Sequence, residues 1–445
     1  MSRVLIRNGM LLTGDEERPF VEDGHLVIDG NEIVEIGAGE PASRDADEVL
    51  DATDMLVVPG FVNAHTHLCM ILGRNLGTDS SLLHWLSAAQ VPLMQTFEPE
   101  DYVVSMQLGA IENLKAGNTT VCEVFFSPHY EQEVDRLALR ALDSSGIRSL
   151  FFRCSNDESF FEGFVETREE IVERSERLIG DWSDSGRTHV GVGPLVPWGS
   201  SGDAFRDSVD LAGRHGIRVH LHTAETPEYN DLVRERTGKS NVGMLADVGA
   251  LGDAVMLNHC VHLSEDDIAL IAGSGSHVIY NPTSNMILAS GVAPVPALLR
   301  AGVNVGLACD GPACNNGQDM IEAMKDGALL QKVVSRDPEA LVASDVFAMA
   351  TRRGAESVGM AGRLGTLKAG SLADVVLIDC QKPHLTPLGD AQAALVYAAR
   401  SADVRTVIVD GRIVVRDGRM TTLDEDEVRE RAGERARRAL ARVGS

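Results

Sequence analysis

The sequence predicts an α/β fold: a (β/α)8 TIM barrel with a small β-sandwich domain built from the N- and C-terminal segments. Three observations predict it. From residue 61 a short apolar run rich in β-branched residues recurs eight times, and the chain between successive runs is long enough for a helix. The two flanks carry alternating, strand-like segments with too few strands on either side to bury a sheet face alone.

The first flank, residues 1–60, alternates apolar and polar residues in RVLIRNGMLLT, GHLVIDGNEIVEIGAG and EVLDATDMLVV, broken by Gly and Asn turns. The barrel occupies 61–364. Its strands are FVNAHTH (61–67), TTVCEV (119–124), RSLFFRC (148–154), THVGVGPL (188–195), RVHLHTA (218–224), VMLNHC (255–260), HVIYNP (277–282) and NVGLACD (304–310). Between them, EPEDYVVSMQLGAIENLKAG ends on Gly117 and PVPALLRAG ends on Gly302, each glycine where a helix terminates in a left-handed residue. Residues 365–420, with GSLADVVLIDC and DVRTVIVDGRIVVRDGRM, return to the first flank, and 421–445 form a final amphipathic helix.

A hydrophobic content of 44% in 445 residues supplies both cores. The formal net charge is -26, from 66 Asp plus Glu against 40 Lys plus Arg, which disfavours nucleic acid and membrane surfaces as partners. Only six basic residues are lysine (Lys115, Lys239, Lys325, Lys332, Lys368 and Lys382), as expected of an acidic protein kept soluble in high salt or of a GC-rich genome. Seven scattered cysteines without a CxxC pair suggest reduced thiols rather than a disulfide framework or a cysteine zinc site. The N-terminus lacks an apolar signal segment, and no stretch approaches the roughly 18 apolar residues of a membrane span, so a cytoplasmic location is expected; the expected protein partner is a further copy of the chain, in a homo-oligomer.

The chemistry lies at the C-terminal ends of the barrel strands. PGFVNAHTHLCM (59–70) places His65 and His67 two apart, on one face of a strand. The fifth strand ends in HLHTAE, with His220, His222 and Glu225; the sixth in NHC, with His259; the eighth in ACDGP, with Asp310. Any one of these reads equally well as a satisfied core histidine or a turn residue, but four strand ends converge on one axis. His65, His67, His222 and Asp310 make a first shell for one divalent metal ion per chain, Zn2+ first, with Fe2+ and Mn2+ as alternatives. Zinc lowers the pKa of bound water from 15.7 to about 7. Glu225, three residues beyond His222, can move protons without being a ligand; His259 can polarise the substrate or hold the hydroxide; Asp310 can take the water's proton.

PGFVNAHTH, HTAET, NHCVHL, NPTSN and CDGPACNN, in this order, resemble the amidohydrolase superfamily, in its subgroup of S-adenosylhomocysteine and methylthioadenosine deaminases, guanine-type deaminases, and atrazine or melamine hydrolases. The resemblance covers nearly the whole chain, including LGTLKAGSLADVVLID. It implies a metal-dependent hydrolytic deaminase of an amino-substituted N-heteroaromatic ring, acting through a zinc-bound hydroxide on a small-molecule substrate. It implies His65, His67, His222 and Asp310 as metal ligands, Glu225, His259 and Asp310 in catalysis, and Asn285 of NPTSN in substrate binding. The alternatives are a deaminase of S-adenosylhomocysteine or methylthioadenosine, a triazine chlorohydrolase-like dehalogenase, and an idle assembly protein of the same fold. A binuclear centre bridged by a carboxylated lysine is disfavoured, because neither the third nor the fourth strand contains lysine.

Two positions depart from the nucleoside deaminases of this subgroup. Where those carry a ribose-binding glutamate and histidine, this chain has Met94 in VPLMQ and Leu195 in GPLVP. Met94, Leu195, Trp85 and Trp198 are therefore expected to line a more apolar pocket, and Arg153 to be available for a polar or anionic substituent.

Overall fold

The computed structural model describes residues 3–443. Eight parallel strands follow one another in chain order around the barrel: Phe61–Thr66, Asn118–Phe125, Arg148–Ser155, Thr188–Pro194, Val219–Thr223, Val255–His259, His277–Tyr280 and Val305–Leu307. Each lies within a few residues of its sequence-based position. All of the first three are buried along their length, as strands covered inside by barrel side chains and outside by helices must be. Closure between the first and last strands comes from the Asp310 N–H donating to the His65 carbonyl at 3.0 Å and the Cys309 N–H donating to Asn63 Oδ1 at 3.0 Å.

The helix Pro99–Lys115 begins with proline in its first turn and a reciprocal cap between Glu98 and Asp101, and the chain leaves it through Gly117 at φ +86°. The final helix, Glu425–Arg442, starts on Asp424, whose carboxylate accepts from the Asp426 and Glu427 N–H groups at 3.1 and 3.0 Å. It lies on Pro99–Lys115, where Arg435 Nε reaches the buried Asp101 carboxylate at 2.5 Å.

The two ends of the chain form one nine-stranded mixed sheet. Its join is antiparallel: Val375–Asp379 pairs with Met55–Pro59 in the register Val376 to Val58. Side chains from both ends, including Val4, Ile6, Leu26, Val57, Val375 and Ile408, share one core, so neither flank needs a sheet of its own. All seven cysteines are free and buried. None of the described helices is long and apolar enough to cross a membrane.

Barrel and sheet are tied by a buried ion pair. Arg148, fully buried at the start of the third barrel strand, donates through Nε and Nη2 to Asp374 at 3.1 and 2.9 Å and through Nη2 to Asp410 at 3.0 Å. Removing one partner of such a pair leaves an uncompensated buried charge, at about 3–5 kcal/mol. Arg148→Ala should therefore lower the unfolding free energy by about that amount in a urea titration, more than Arg435→Ala at the more exposed helix contact. A loss under about 1 kcal/mol would show that the contact does not couple the two units.

Candidate metal centre and active site

His65 and His67 reach the barrel mouth by different routes. His65 is the penultimate residue of the first strand, whereas His67 lies beyond its end and precedes the short helical turn Leu68–Gly73. That turn is held by Glu123 of the second strand, whose carboxyl accepts from the Leu68 N–H at 2.6 Å and the Cys69 N–H at 3.1 Å. Burial pushes the Glu123 carboxyl up to about 8. Sequence reasoning passed over this residue; its one signal was a lone acid inside the apolar run TTVCEV.

The imidazoles are oriented from behind. His67 Nδ1 lies 2.8 Å from the Val124 carbonyl and His222 Nδ1 lies 2.7 Å from the Leu195 carbonyl. A carbonyl only accepts, so both rings carry their proton on Nδ1 and present an Nε2 lone pair. Those two Nε2 atoms face one another at 3.2 Å across stacked rings. Two lone pairs so placed repel unless a cation lies between them, and ligands about 2.0–2.1 Å from one tetrahedral zinc are separated by about 3.4 Å. His65 Nε2, 3.1 Å from Asp310 Oδ1, is buried without a hydrogen-bond partner among the described residues. Its Nδ1 meets His220 Nε2 at 2.9 Å. Asp310 Oδ1 is also 3.8 Å from His67 Nε2. The donor set of His65, His67, His222 and Asp310 therefore fits a divalent cation.

Glu225 and His259 stand beside this cluster, with His259 Nε2 3.8 Å from Glu225 Oε2. Burial, aided by the Asp310 charge, holds the Glu225 carboxyl well above the usual carboxylate range, which favours its protonated form. The strand ends that deliver these groups are strained: Ala224, His259, Cys260 and Asp310 have φ of +50°, +71°, +51° and +66°. Hydrogen bonds from the Cys260 N–H to the Thr223 carbonyl (2.9 Å) and from the His262 N–H to the Ala224 carbonyl (2.9 Å) hold two of these ends together.

A model described as the amidohydrolase family matches residues 56–414. The chain belongs to the amidohydrolase family. Its relatives include a 5'-deoxyadenosine deaminase from Methanosarcina mazei, 38% identical over 448 residues covering 100% of both chains. A 5-methylthioadenosine/S-adenosylhomocysteine deaminase from Desulforamulus reducens is 36% identical over 440 residues, 97% of this chain and 99% of that one. An adenosine deaminase from Xanthomonas campestris, crystallised with bound zinc, superposes with a TM-score of 0.93 at 28% identity over 98% of each chain. The zinc complex of atrazine chlorohydrolase from Arthrobacter aurescens has the same fold, with a TM-score of 0.91 at 24% identity over 97% of this chain and 100% of that one. This amidohydrolase is thus a hydrolase of a metal-dependent family.

The cavity above the cluster is apolar away from the reacting groups. Trp85, Leu195 and Trp198 line it, together with Phe126 and Phe160 from loops and Tyr229 from the helix Pro227–Thr237, which carried no sequence signal. Three expectations are corrected. Met94 is buried in packing and is absent from the cavity wall. Arg153 is not available to a substrate: it is buried against Asp135 (3.0 Å) and Glu166 (2.7 Å), with its guanidinium over the Tyr130 ring. Asn285 does not line the cavity either, and sits behind His259 with Nδ2 3.1 Å from Nδ1.

Burial holds six imidazoles of this amidohydrolase below their ordinary 6.5: His67 and His277 down to about 4, His259 down to about 3, His220 and His222 well below, and His189 to a lesser degree. Each stabilises the fold fully above pH 6.5 and loses that contribution as pH falls through this range. Glu225, Glu123, Glu322 and Asp326 act oppositely, because their raised values favour folding at low pH. Between pH 6.5 and 4.5 the six imidazoles outweigh the four carboxyls. The melting temperature of metal-free protein should therefore fall from pH 7 to 5, and a flat or rising profile would contradict neutral burial of the cluster.

Proposed function

We propose that this amidohydrolase is a hydrolytic deaminase of an amino-substituted N-heteroaromatic ring, replacing the amino group by hydroxyl and releasing ammonia. The observation that carries the reading is a buried Glu225, its carboxyl held above the usual carboxylate range, 3.8 Å from His259 and beside the convergent donors His65, His67 and His222, with Asp310 Oδ1 3.1 Å from His65 Nε2. His65, His67, His222 and Asp310 would hold one divalent metal ion, most simply Zn2+, which when bound makes water a nucleophile at neutral pH.

The chain's own groups supply the rest. Asp310 accepts the proton of the attacking water. Glu225 donates its proton to the ring nitrogen next to the carbon under attack, raising that carbon's electrophilicity, then takes the proton of the added hydroxyl and passes it to the amine, which leaves as ammonia, while the proton held by Asp310 restores Glu225. His259, 3.8 Å from Glu225, stands where it can donate a hydrogen bond to the incoming oxygen. Burial of all three excludes bulk water from the transfers.

Substrate choice follows from the wall. Apart from the reacting cluster the cavity is walled by groups such as Leu82, Trp85, Leu86, Phe160, Leu195 and Trp198. Such a wall supports a free or apolar-substituted heterocycle. Ribose hydroxyls would lose water there without partners, at about 1–3 kcal/mol for each unpaired group. The nucleoside reading draws instead on the names of the 36–38% identical relatives.

Ammonia release from purines, pterins, pyrimidines and triazines by zinc-loaded protein tests the choice. An unglycosylated amino-heterocycle should exceed S-adenosylhomocysteine, methylthioadenosine and adenosine in kcat/KM by a factor on the order of 10². A nucleoside ahead of every free heterocycle would overturn it. With the best substrate, Glu225→Gln should keep its metal and lose about 10²- to 10⁴-fold in kcat.

Metal analysis is the independent check. Purified protein should carry about one divalent ion per chain, and His67→Ala or Asp310→Ala should lose both ion and activity. Two tightly held ions per chain would refute the mononuclear assignment.

A further inference from the structure

We infer that Asn285 is a positioning residue: it decides which nitrogen of His259 carries the proton, and thereby keeps His259 a hydrogen-bond donor toward the reacting centre instead of a further metal ligand. This rests on the proposed function only for what the reacting centre does.

The geometry is a contrast between three imidazoles. Behind His67 and His222 stand carbonyl oxygens, of Val124 and Leu195, at 2.8 and 2.7 Å. Behind His259 stands a side-chain amide nitrogen, Asn285 Nδ2, 3.1 Å from Nδ1. A carbonyl demands a proton on Nδ1 and leaves Nε2 as a lone pair; an amide N–H demands a lone pair on Nδ1 and places the proton on Nε2. The ring backed by the donor is thus the one whose Nε2 faces Glu225 as N–H, and the rings backed by acceptors are those whose Nε2 atoms face each other.

His259 is otherwise placed to ligate. Its ring nitrogen lies within 4.8 Å of ligand atoms of both His65 and Asp310, a second triad that could hold a cation. The tautomer removes it from that set. Both Asn285 and His259 are 1% exposed, so water does not compete for Nδ1. The backbone of Asn285 is fixed by the short helix Pro282–Ile287, where its main-chain N–H donates to the Asn281 carbonyl and its main-chain carbonyl accepts from the Ser290 N–H at 2.9 Å; the side-chain Oδ1 has no hydrogen-bond partner among the described residues, so the contact to His259 is the one polar contact of the side chain. Asn285 does not line the cavity, so its influence passes through His259.

The test is the isosteric variant Asn285→Asp in zinc-loaded protein. A carboxylate only accepts, so it should draw the proton to Nδ1 and turn the Nε2 lone pair toward the metal. In protein labelled with 15N-histidine, His259, assigned by comparison with His259→Gln, should show the Nε2–H tautomer in the wild type and Nδ1–H in the variant. Metal content should stay the same, while X-ray absorption of the zinc should gain a nitrogen neighbour. With the best substrate from the screen, kcat should fall about 10- to 100-fold with little change in KM. An Nδ1–H tautomer at His259 in the wild type would overturn the inference, whether or not the variant folds. So would an Asn285→Asp variant within threefold of wild-type kcat, since a residue needed only for packing tolerates an isostere. The nitrogen readout needs no substrate, so its failure is distinct from a failure of the deaminase assignment.

Discussion

Everything at the barrel mouth depends on the seam where the last strand meets the first. There the Gln318 side chain accepts through Oε1 from Asn63 Nδ2 and Thr66 Oγ1, each at 2.9 Å, and donates through Nε2 to the Asp310 carbonyl at 2.6 Å. Asn113 and Asn118 extend the network, with Asn118 Nδ2 donating to Asn113 Oδ1 at 2.8 Å. All five side chains besides Asp310 are buried, so these bonds form without competition from water. Thr66 lies between His65 and His67. One amide network therefore fixes the first-strand imidazoles and the eighth-strand carboxylate relative to each other.

That rigidity lets the site hold unfavourable states. Non-glycine residues at positive φ cost about 1–3 kcal/mol each, and four of them sit at ends of the fifth, sixth and eighth strands. Burial shifts these imidazoles toward their neutral form and Glu225 toward its protonated form. Neutral imidazole is the form that ligates a cation, and a protonated carboxyl is the form that can donate. The same burial that opposes ionisation thus prepares both functions.

Buried arginines serve the scaffold in the same molecule. Arg148 links barrel to sheet through Asp374 and Asp410, and Arg153 links the third strand to Asp135 and Glu166. In both cases a charge deep in the fold is matched by two carboxylates, which is the condition under which burial of arginine is tolerated. The acidity of the chain is therefore partly structural at these points.

The eight strand segments, the swapped-end sheet and the terminal helix were legible because each rests on local pattern: apolar runs of strand length, period-two alternation, glycine stops. Legible for the same reason were His65, His67, His222, Glu225, His259 and Asp310, since a barrel topology sends every strand end to one mouth and residue type alone then nominates ligands. Sequence could not say where a side chain finds its partner. Arg153 looked free because Asp135 and Glu166, 18 and 13 residues away in the chain, reach it only through packing; Met94 faces core because the turns of 82–94 aim it there; Glu123 acts through backbone N–H groups, and Gln318 through the Asp310 carbonyl and the Asn63 and Thr66 side chains, partners that no pattern marks. Tertiary structure also decided which face of each imidazole carries its proton, because that depends on whether a carbonyl or an amide nitrogen lies behind the ring, a matter of fractions of an ångström that residue identity and spacing do not encode.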